Sequence, residues 1–178
     1  MPRGGDIEKM AVENTGATGI FAAMSLDRTL LAAQGYIELD MPIEALEELD
    51  SLGPEDCEND AVLRMRLFVL MKTQAWDEAL AVCQRLRDLF PEAAAGYIHG
   101  AFCLHEEGKT AEARDLLLSG PPCLEDEATY FYNLGCYSAV LGDLDAARDY
   151  VQTSFVMDDK FREIAKLDPD LRAIRQEL

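Results

Sequence analysis

No stretch of the 178-residue sequence approaches the roughly 18 consecutive apolar residues that a membrane-spanning helix requires. The most apolar N-terminal stretch, Ala17 to Met24, is short and contains Thr18 and Gly19. Asp6, Glu8 and Glu13 stand upstream of it, where a secretory signal needs a basic start, so a cytoplasmic location is the expectation. Bases are scarce: 16 against 34 acids, a net charge of −18. The deficit is steepest early, with 14 acids and 3 bases in residues 1–60. Such a surface repels phosphate backbones and anionic headgroups, which argues against nucleic-acid and membrane partners. It favours solubility and, weakly, a basic or amphipathic protein partner.

Paired cysteines are also missing. The five present (Cys57, Cys83, Cys103, Cys123, Cys136) are odd in number and show no C-x-x-C spacing, so free thiols are expected rather than a disulfide framework. Histidine occurs twice, at His99 and His105. His99 and Cys103 share a helix face at i, i+4, but His105 points elsewhere and a third ligand would have to come from another helix, so no metal site is expected. No G-x-S-x-G, H-E-x-x-H, Walker loop or dinucleotide fingerprint is present. Neighbouring carboxylates such as Glu47 and Glu48 cannot face one another on a helix. The expectation is a non-catalytic chain without a cofactor.

What the sequence does contain is a repeat. Four segments align: Ile43-Glu-Ala45-Leu, Asp77-Glu-Ala79-Leu, Ala111-Glu-Ala113-Arg and Asp145-Ala-Ala147-Arg. Their alanines fall at 45, 79, 113 and 147, a constant step of 34 residues. Each unit reads as an apolar-periodic helix, a short turn and a second such helix. In the last unit Phe131, Leu134, Gly135, Ser138 and Leu141 recur at i, i+3, i+4, i+7 and i+10. Small residues (Ala33, Ala101, Gly135 and the periodic alanines) mark places where two helices approach closely. Gly108-Lys109 and Gly142-Asp143 end one helix and restart the next. Pro42, Pro54, Pro91, Pro121 and Pro122 fall at helix ends or between units, where a missing N–H does no harm.

With this period, Phe131-x-x-Leu134-Gly135, the turn Gly142-Asp143 and Ala147, the sequence resembles the tetratricopeptide-repeat family. The third unit supports it through Tyr97, Ala101, Leu104, Gly108 and Ala113, and the second through Leu63, Leu67, Leu70, Trp76, Ala79 and Pro91. The first keeps Ala33, Tyr36 and Ala45 but has Asp40 where the turn glycine usually sits, and the first two units lack the Leu-Gly pair. The resemblance implies an all-α fold, a right-handed superhelical solenoid of antiparallel helix pairs. The organisation expected is an N-terminal arm or cap over 1–25, four repeats over 26–161 (26–59, 60–93, 94–127, 128–161), and a C-terminal capping helix over 162–178. Asp168-Pro169 reads as the start of that helix, with Leu171 and Ile174 covering the apolar flank of the fourth repeat and Arg172, Arg175 and Gln176 facing water. Ile20, Phe21 and Met24 are expected to pack on the first helix.

The same resemblance implies where a partner sits. In this family, positions 2, 5, 9, 12 and 13 of each repeat line a concave groove. These are Asp27, Leu30, Gln34, Ile37 and Glu38 in the first repeat and Ala61, Arg64, Phe68, Met71 and Lys72 in the second. The third repeat supplies Ala95, Ile98, Phe102, His105 and Glu106, and the fourth Thr129, Tyr132, Cys136, Ala139 and Val140. The partner-binding set drawn from them is Leu30, Gln34, Ile37, Arg64, Phe68, Met71, Lys72, Ile98, Phe102, His105, Tyr132 and Cys136. It is rich in apolar and aromatic residues, which mark contact surfaces when they line a groove. Phe68 and Phe102 would anchor an apolar or amphipathic segment, with Arg64 and Lys72 pairing acids beside it. The family's clamp for chaperone tails is absent: its positions hold Leu30, Gln34, Met65, Ala95 and His99.

A scaffold or adaptor for a protein or peptide partner is therefore expected, with oligomeric state and partner identity undetermined. Two other readings are a small acidic secretion-type chaperone for an apolar client, and a self-associating structural subunit whose groove is filled by its own N-terminal arm. If the arm fills the groove, deleting residues 1–25 raises affinity for groove-binding peptides in a calorimetric titration; an unchanged affinity removes that reading.

Overall fold

The computed structural model describes residues 26–177, all helix and turn with no strand among them. Helix α1 covers 26–38, followed by α2 (Pro42–Asp50), α3 (Pro54–Cys57), α4 (Asp60–Lys72), α5 (Trp76–Leu89), α6 (Ala95–Glu106) and α7 (Thr110–Leu118). A 3-10 turn at Pro122–Asp126 leads to α8 (Ala128–Val140), α9 (Leu144–Met157) and α10 (Lys160–Ala165), and two more 3-10 turns, Asp170–Ala173 and Arg175–Glu177, close the tail. The chain divides into two compact units, one ending at Val69 and the other beginning at Leu70. The N-terminal arm, with Ile20, Phe21 and Met24, lies outside the described residues.

The repeat is carried by the turns. Asp40, Gln74, Gly108 and Gly142 are the described residues with positive φ (59°, 59°, 79° and 86°), and they stand one 34-residue step apart. At each turn the next N–H reaches back across the helix end: Met41 to Tyr36, Ala75 to Leu70, Lys109 to Leu104 and Asp143 to Ser138, at 2.8–2.9 Å. This 6→1 closure satisfies a carbonyl that the helix end would otherwise leave unpaired. It requires a left-handed residue, which glycine supplies freely and Asp40 and Gln74 only at a cost.

The periodic alanines mark the close approaches. Ala45, Ala79, Ala113 and Ala147 are all fully buried, as are Ala33 and Ala101. Gly135 shows why the sites stay small: a Cβ there would lie 2.4 Å from Val151 Cγ2 and 3.2 Å from the Ala147 carbonyl, so α8 rests on the backbone of α9. Gly96 and Gly100 likewise let α6 lie against Cys83 and Arg87 of α5. There Arg87 Nη1 donates to the Gly96 carbonyl at 2.8 Å while its guanidinium sits over the Tyr97 ring.

In the first unit Ala33, Leu49 and Val62 form a small core, flanked by Leu26, Leu30, Leu52 and Met65. The second unit has the larger one, running from Ile98 and Leu117 through Leu134, Tyr137 and Val151 to Leu171 and Ile174. Helix α8 is its centre, buried on nearly every side, as expected of a helix with no charged residue. Leu141, which continues the apolar stripe in sequence, caps α8 and is 40% exposed.

The tail departs from the single capping helix expected over 162–178. After Ala165 the chain turns, and Pro169 leads into a 3-10 turn rather than an α-helix. Leu171 and Ile174, three residues apart, are both fully buried, and a 3-10 turn stacks i over i+3. The segment is pinned at its start, where the Tyr132 hydroxyl holds the Asp168 side chain and Arg175 Nη2 holds the Asp168 carbonyl, which suits a short, tight turn. Ile174 ends the turn at φ −116°, ψ −1°.

Substitutions at these positions separate turn from packing. Gly142→Ala loses about 1–2 kcal/mol from left-handed strain, and Gly135→Ala about 1–3 kcal/mol from overpacking. Gln74→Gly gains about 0.5–1 kcal/mol by relieving the same turn conformation. Urea unfolding of the three variants checks all the signs.

Candidate partner-binding site

The positions expected to line a groove fall in both units. In the first, Leu30 packs beside the core and Ile37 is half-buried. Gln34 is exposed and donates to Glu38. Arg64 is committed to Asp60 one turn earlier, at 2.7 Å. Phe68 is 55% exposed, a large apolar side chain held at the surface of α4.

In the second unit, six of the expected residues line one cavity of about 640 Å³: Met71, Ile98, Phe102, His105, Tyr132 and Cys136. Lys72 is exposed and is not part of its wall. Helices α6 and α8 position the wall because residues three and four apart share a helix face: Ile98, Phe102 and His105 on α6, Tyr132 and Cys136 on α8. Phe102 is half-buried and meets Trp76 edge-on, with ring centroids 5.9 Å apart. His105 lies against the Tyr137 ring at 4.8 Å.

Further residues of α6 and α8 complete that side, and the opposite wall is the C-terminal tail, which the sequence pattern places on the flank of the fourth repeat. Leu171 and Ile174 do sink into the core there, but the segment before them crosses the cavity and contributes Phe161, Ile164, Leu167, Asp168, Pro169 and Asp170. Phe161 stacks on Tyr132 at 4.6 Å. The Tyr132 hydroxyl donates to Asp168 Oδ2 at 2.7 Å, and the Cys136 thiol approaches the same oxygen at 3.6 Å. His105 bridges Thr110 Oγ1 (3.0 Å) through Nδ1 and Asp170 Oδ2 (2.9 Å) through Nε2. Ile98, Tyr132 and Cys136 are consequently less than a tenth exposed, whereas an open groove would leave such positions in water.

Chemically the cavity has two ends. Toward Met71 and Phe102 it is apolar and aromatic. Toward the tail it holds a thiol, an imidazole and two carboxylates. Burial, reinforced by the Asp168 carboxylate, pushes the Tyr132 hydroxyl far above the ordinary tyrosine range. Burial and the charges of Asp168 and Asp170 also raise the Cys136 thiol, and burial raises Tyr137. All three stay protonated at neutral pH, and Tyr132 and Cys136 turn their protons to Asp168. All five cysteines are free thiols, with Cys83, Cys103 and Cys136 buried.

Sequence reasoning missed the tail's part in the wall. The available signal was Asp168-Pro169-Asp170: Asp168 Oδ1 does accept from the Asp170 N–H at 3.0 Å, as a cap would, but its other oxygen is turned to Tyr132. Tyr132→Phe deletes a hydrogen bond to a charged acceptor and costs about 1.5–3 kcal/mol. Amide exchange across residues 160–177 is expected to accelerate in that variant while α6 and α7 keep their protection.

No protein-family model matches the sequence, and no curated protein does. Solved structures do. One of MamA residues 41 to the end, from Desulfovibrio magneticus RS-1, superposes with a TM-score of 0.68 at 15% identity, covering 86% of this chain and 88% of that one. A double mutant of MamA from RS-1 matches at a TM-score of 0.64 and 13% identity over 76% of each chain. A further MamA mutant matches at 0.59 and 14% identity, over 86% of this chain and 99% of that one. MamA is a tetratricopeptide-repeat protein. The likeness spans most of both chains at an identity too low to carry more than architecture, and it agrees with the 34-residue period, the turns and the buried alanines: the chain has the all-α, helix-pair fold of the tetratricopeptide repeats.

Proposed function

We propose that this protein is a non-catalytic interaction scaffold that takes an apolar or amphipathic polypeptide segment on the aromatic end of the cavity between α6 and α8. The observation that carries this reading is the cavity itself: about 640 Å³, walled by Met71, Ile98 and Phe102. Concave, largely apolar sites with a few fixed polar groups are where ligands seat, and aromatic and Met side chains are the types enriched at protein contacts. Phe102 is the anchor on this face, supported from behind by Trp76. The net charge of −18 favours a segment that carries bases beside its apolar residues. A tetratricopeptide-type fold adds support by analogy only, since one fold serves many tasks. No helix among the described residues is long and apolar enough to cross a membrane.

Peptide display on the folded chain tests the reading. Selected sequences are expected to pair bulky apolar residues with Lys or Arg. Their affinity should fall at least about tenfold in Phe102→Ala, as for a central contact residue. Val156→Asp, on a side chain 84% exposed on α9, should leave it unchanged. Circular dichroism first establishes that both variants stay helical. Equal binding by wild type and Phe102→Ala moves the contact elsewhere and overturns the assignment of the cavity.

A further inference from the structure

At the other end of the same cavity, the geometry points to a second site, with a different ligand. We propose that His105, Cys136, Asp168 and Asp170 form a binding site for a divalent transition-metal cation of the zinc class, fastening the C-terminal tail to α6 and α8. The proposal is independent of peptide binding, and either can fail without the other.

The four groups come from three separate segments: Cys136 and the two aspartates meet directly, and His105 adjoins them through its 2.9 Å contact with Asp170. Cys136 Sγ and one oxygen from each aspartate lie within 4.8 Å of one another. The Cys136 Sγ to Asp168 Oδ2 separation is 3.6 Å. Around zinc, with bonds of roughly 2.0–2.3 Å, the edge of a ligand tetrahedron is about 3.3–3.7 Å, so this pair already stands at ligand-to-ligand spacing. His105 Nε2 and Asp170 Oδ2, at 2.9 Å, would part by a few tenths of an ångström to admit a cation, roughly to that same edge length.

The outer contacts are those that orient metal ligands. A ligating histidine gives its other N–H to a neighbouring acceptor. Here Nδ1 faces the hydroxyl of buried Thr110 at 3.0 Å; with that proton donated to Thr110, Nε2 turns its lone pair to the cluster. Asp168 is held in turn by the Tyr132 hydroxyl and by the Asp170 N–H. Tyr137 is a separate observation. It is 98% buried on the wall of this cavity and against His105, yet its hydroxyl has no hydrogen-bond partner. Buried polar groups in native proteins are rarely left so.

The donor set selects the metal. One sulfur, one imidazole and two carboxylate oxygens suit a borderline cation with tetrahedral preference. Calcium and magnesium seek six or more oxygens and do not use a thiol. Binding deprotonates Cys136: the S–H bond breaks, the sulfur pair forms the metal–sulfur bond, and the proton leaves to solvent. In a chain this acidic, the cation also offsets two carboxylates and a thiolate brought together in one cavity.

The test uses the full chain, reduced and freed of metal with a chelator, titrated with Co²⁺. Expected are one equivalent bound, a near-ultraviolet thiolate-to-cobalt band with tetrahedral visible bands, and displacement by Zn²⁺. Cys136→Ser should abolish the thiolate band. Asp170→Asn should weaken binding by at least on the order of 100-fold, and Thr110→Val by about tenfold with the spectrum unchanged. X-ray absorption of the Zn²⁺-loaded wild type should show one sulfur among otherwise nitrogen and oxygen neighbours, and it decides the matter if Cys136→Ser does not fold. A sulfur-free octahedral spectrum, a thiolate band that survives Cys136→Ser, two sulfurs around zinc, or no binding would each overturn the proposal.

Discussion

Everything in this fold depends on how closely paired helices can approach. Where α8 meets α9, Gly135 leaves no room even for a methyl group before Val151 and the Ala147 carbonyl, and the periodic alanines are buried completely. Contact at that distance transmits position. Fixing α8 against α9 fixes which of its faces Tyr132 and Cys136 occupy, and α6, set against α5 through Gly96 and Gly100, presents Phe102 and His105 in the same way. The cavity is a consequence of those two seams.

The tail gives that cavity its asymmetry. Leu171 and Ile174 anchor it by burial, and the residues just before them bring carboxylates to a thiol and an imidazole that the helices alone would leave facing water. One end of the cavity is thus set by helix packing and is apolar; the other is set by a tail crossing and is polar. The two can serve different ligands without sharing side chains.

Much of this was legible in the residues. The alanine step announced the repeat, and Gly108 and Gly142 placed two turns. Because all four turns use the same left-handed geometry, Asp40 and Gln74 could be located by counting alone. Groove positions taken from the family register located half of the expected set on one cavity wall. The tail was not legible, for a physical reason. Asp-Pro is a helix start by local rules, but here the Asp168 side chain is held by Tyr132 and its carbonyl by Arg175, contacts that local rules do not contain. Likewise the contact between His105 and Asp170 was not legible, because the two lie 65 residues apart in sequence.

The turns carry a last consequence. Each is closed by a hydrogen bond between two backbone atoms, Tyr36 to Met41 and its three counterparts, and not by any side chain. A closure built from atoms that every non-proline residue possesses asks for one left-handed residue and little else of the residues around it. Two of the four turns accordingly hold Asp40 and Gln74 in the left-handed position and keep the same closure. Architecture of this kind outlives the signature that would announce it, which is how a chain can share most of its path with a known structure while sharing about one residue in seven with it.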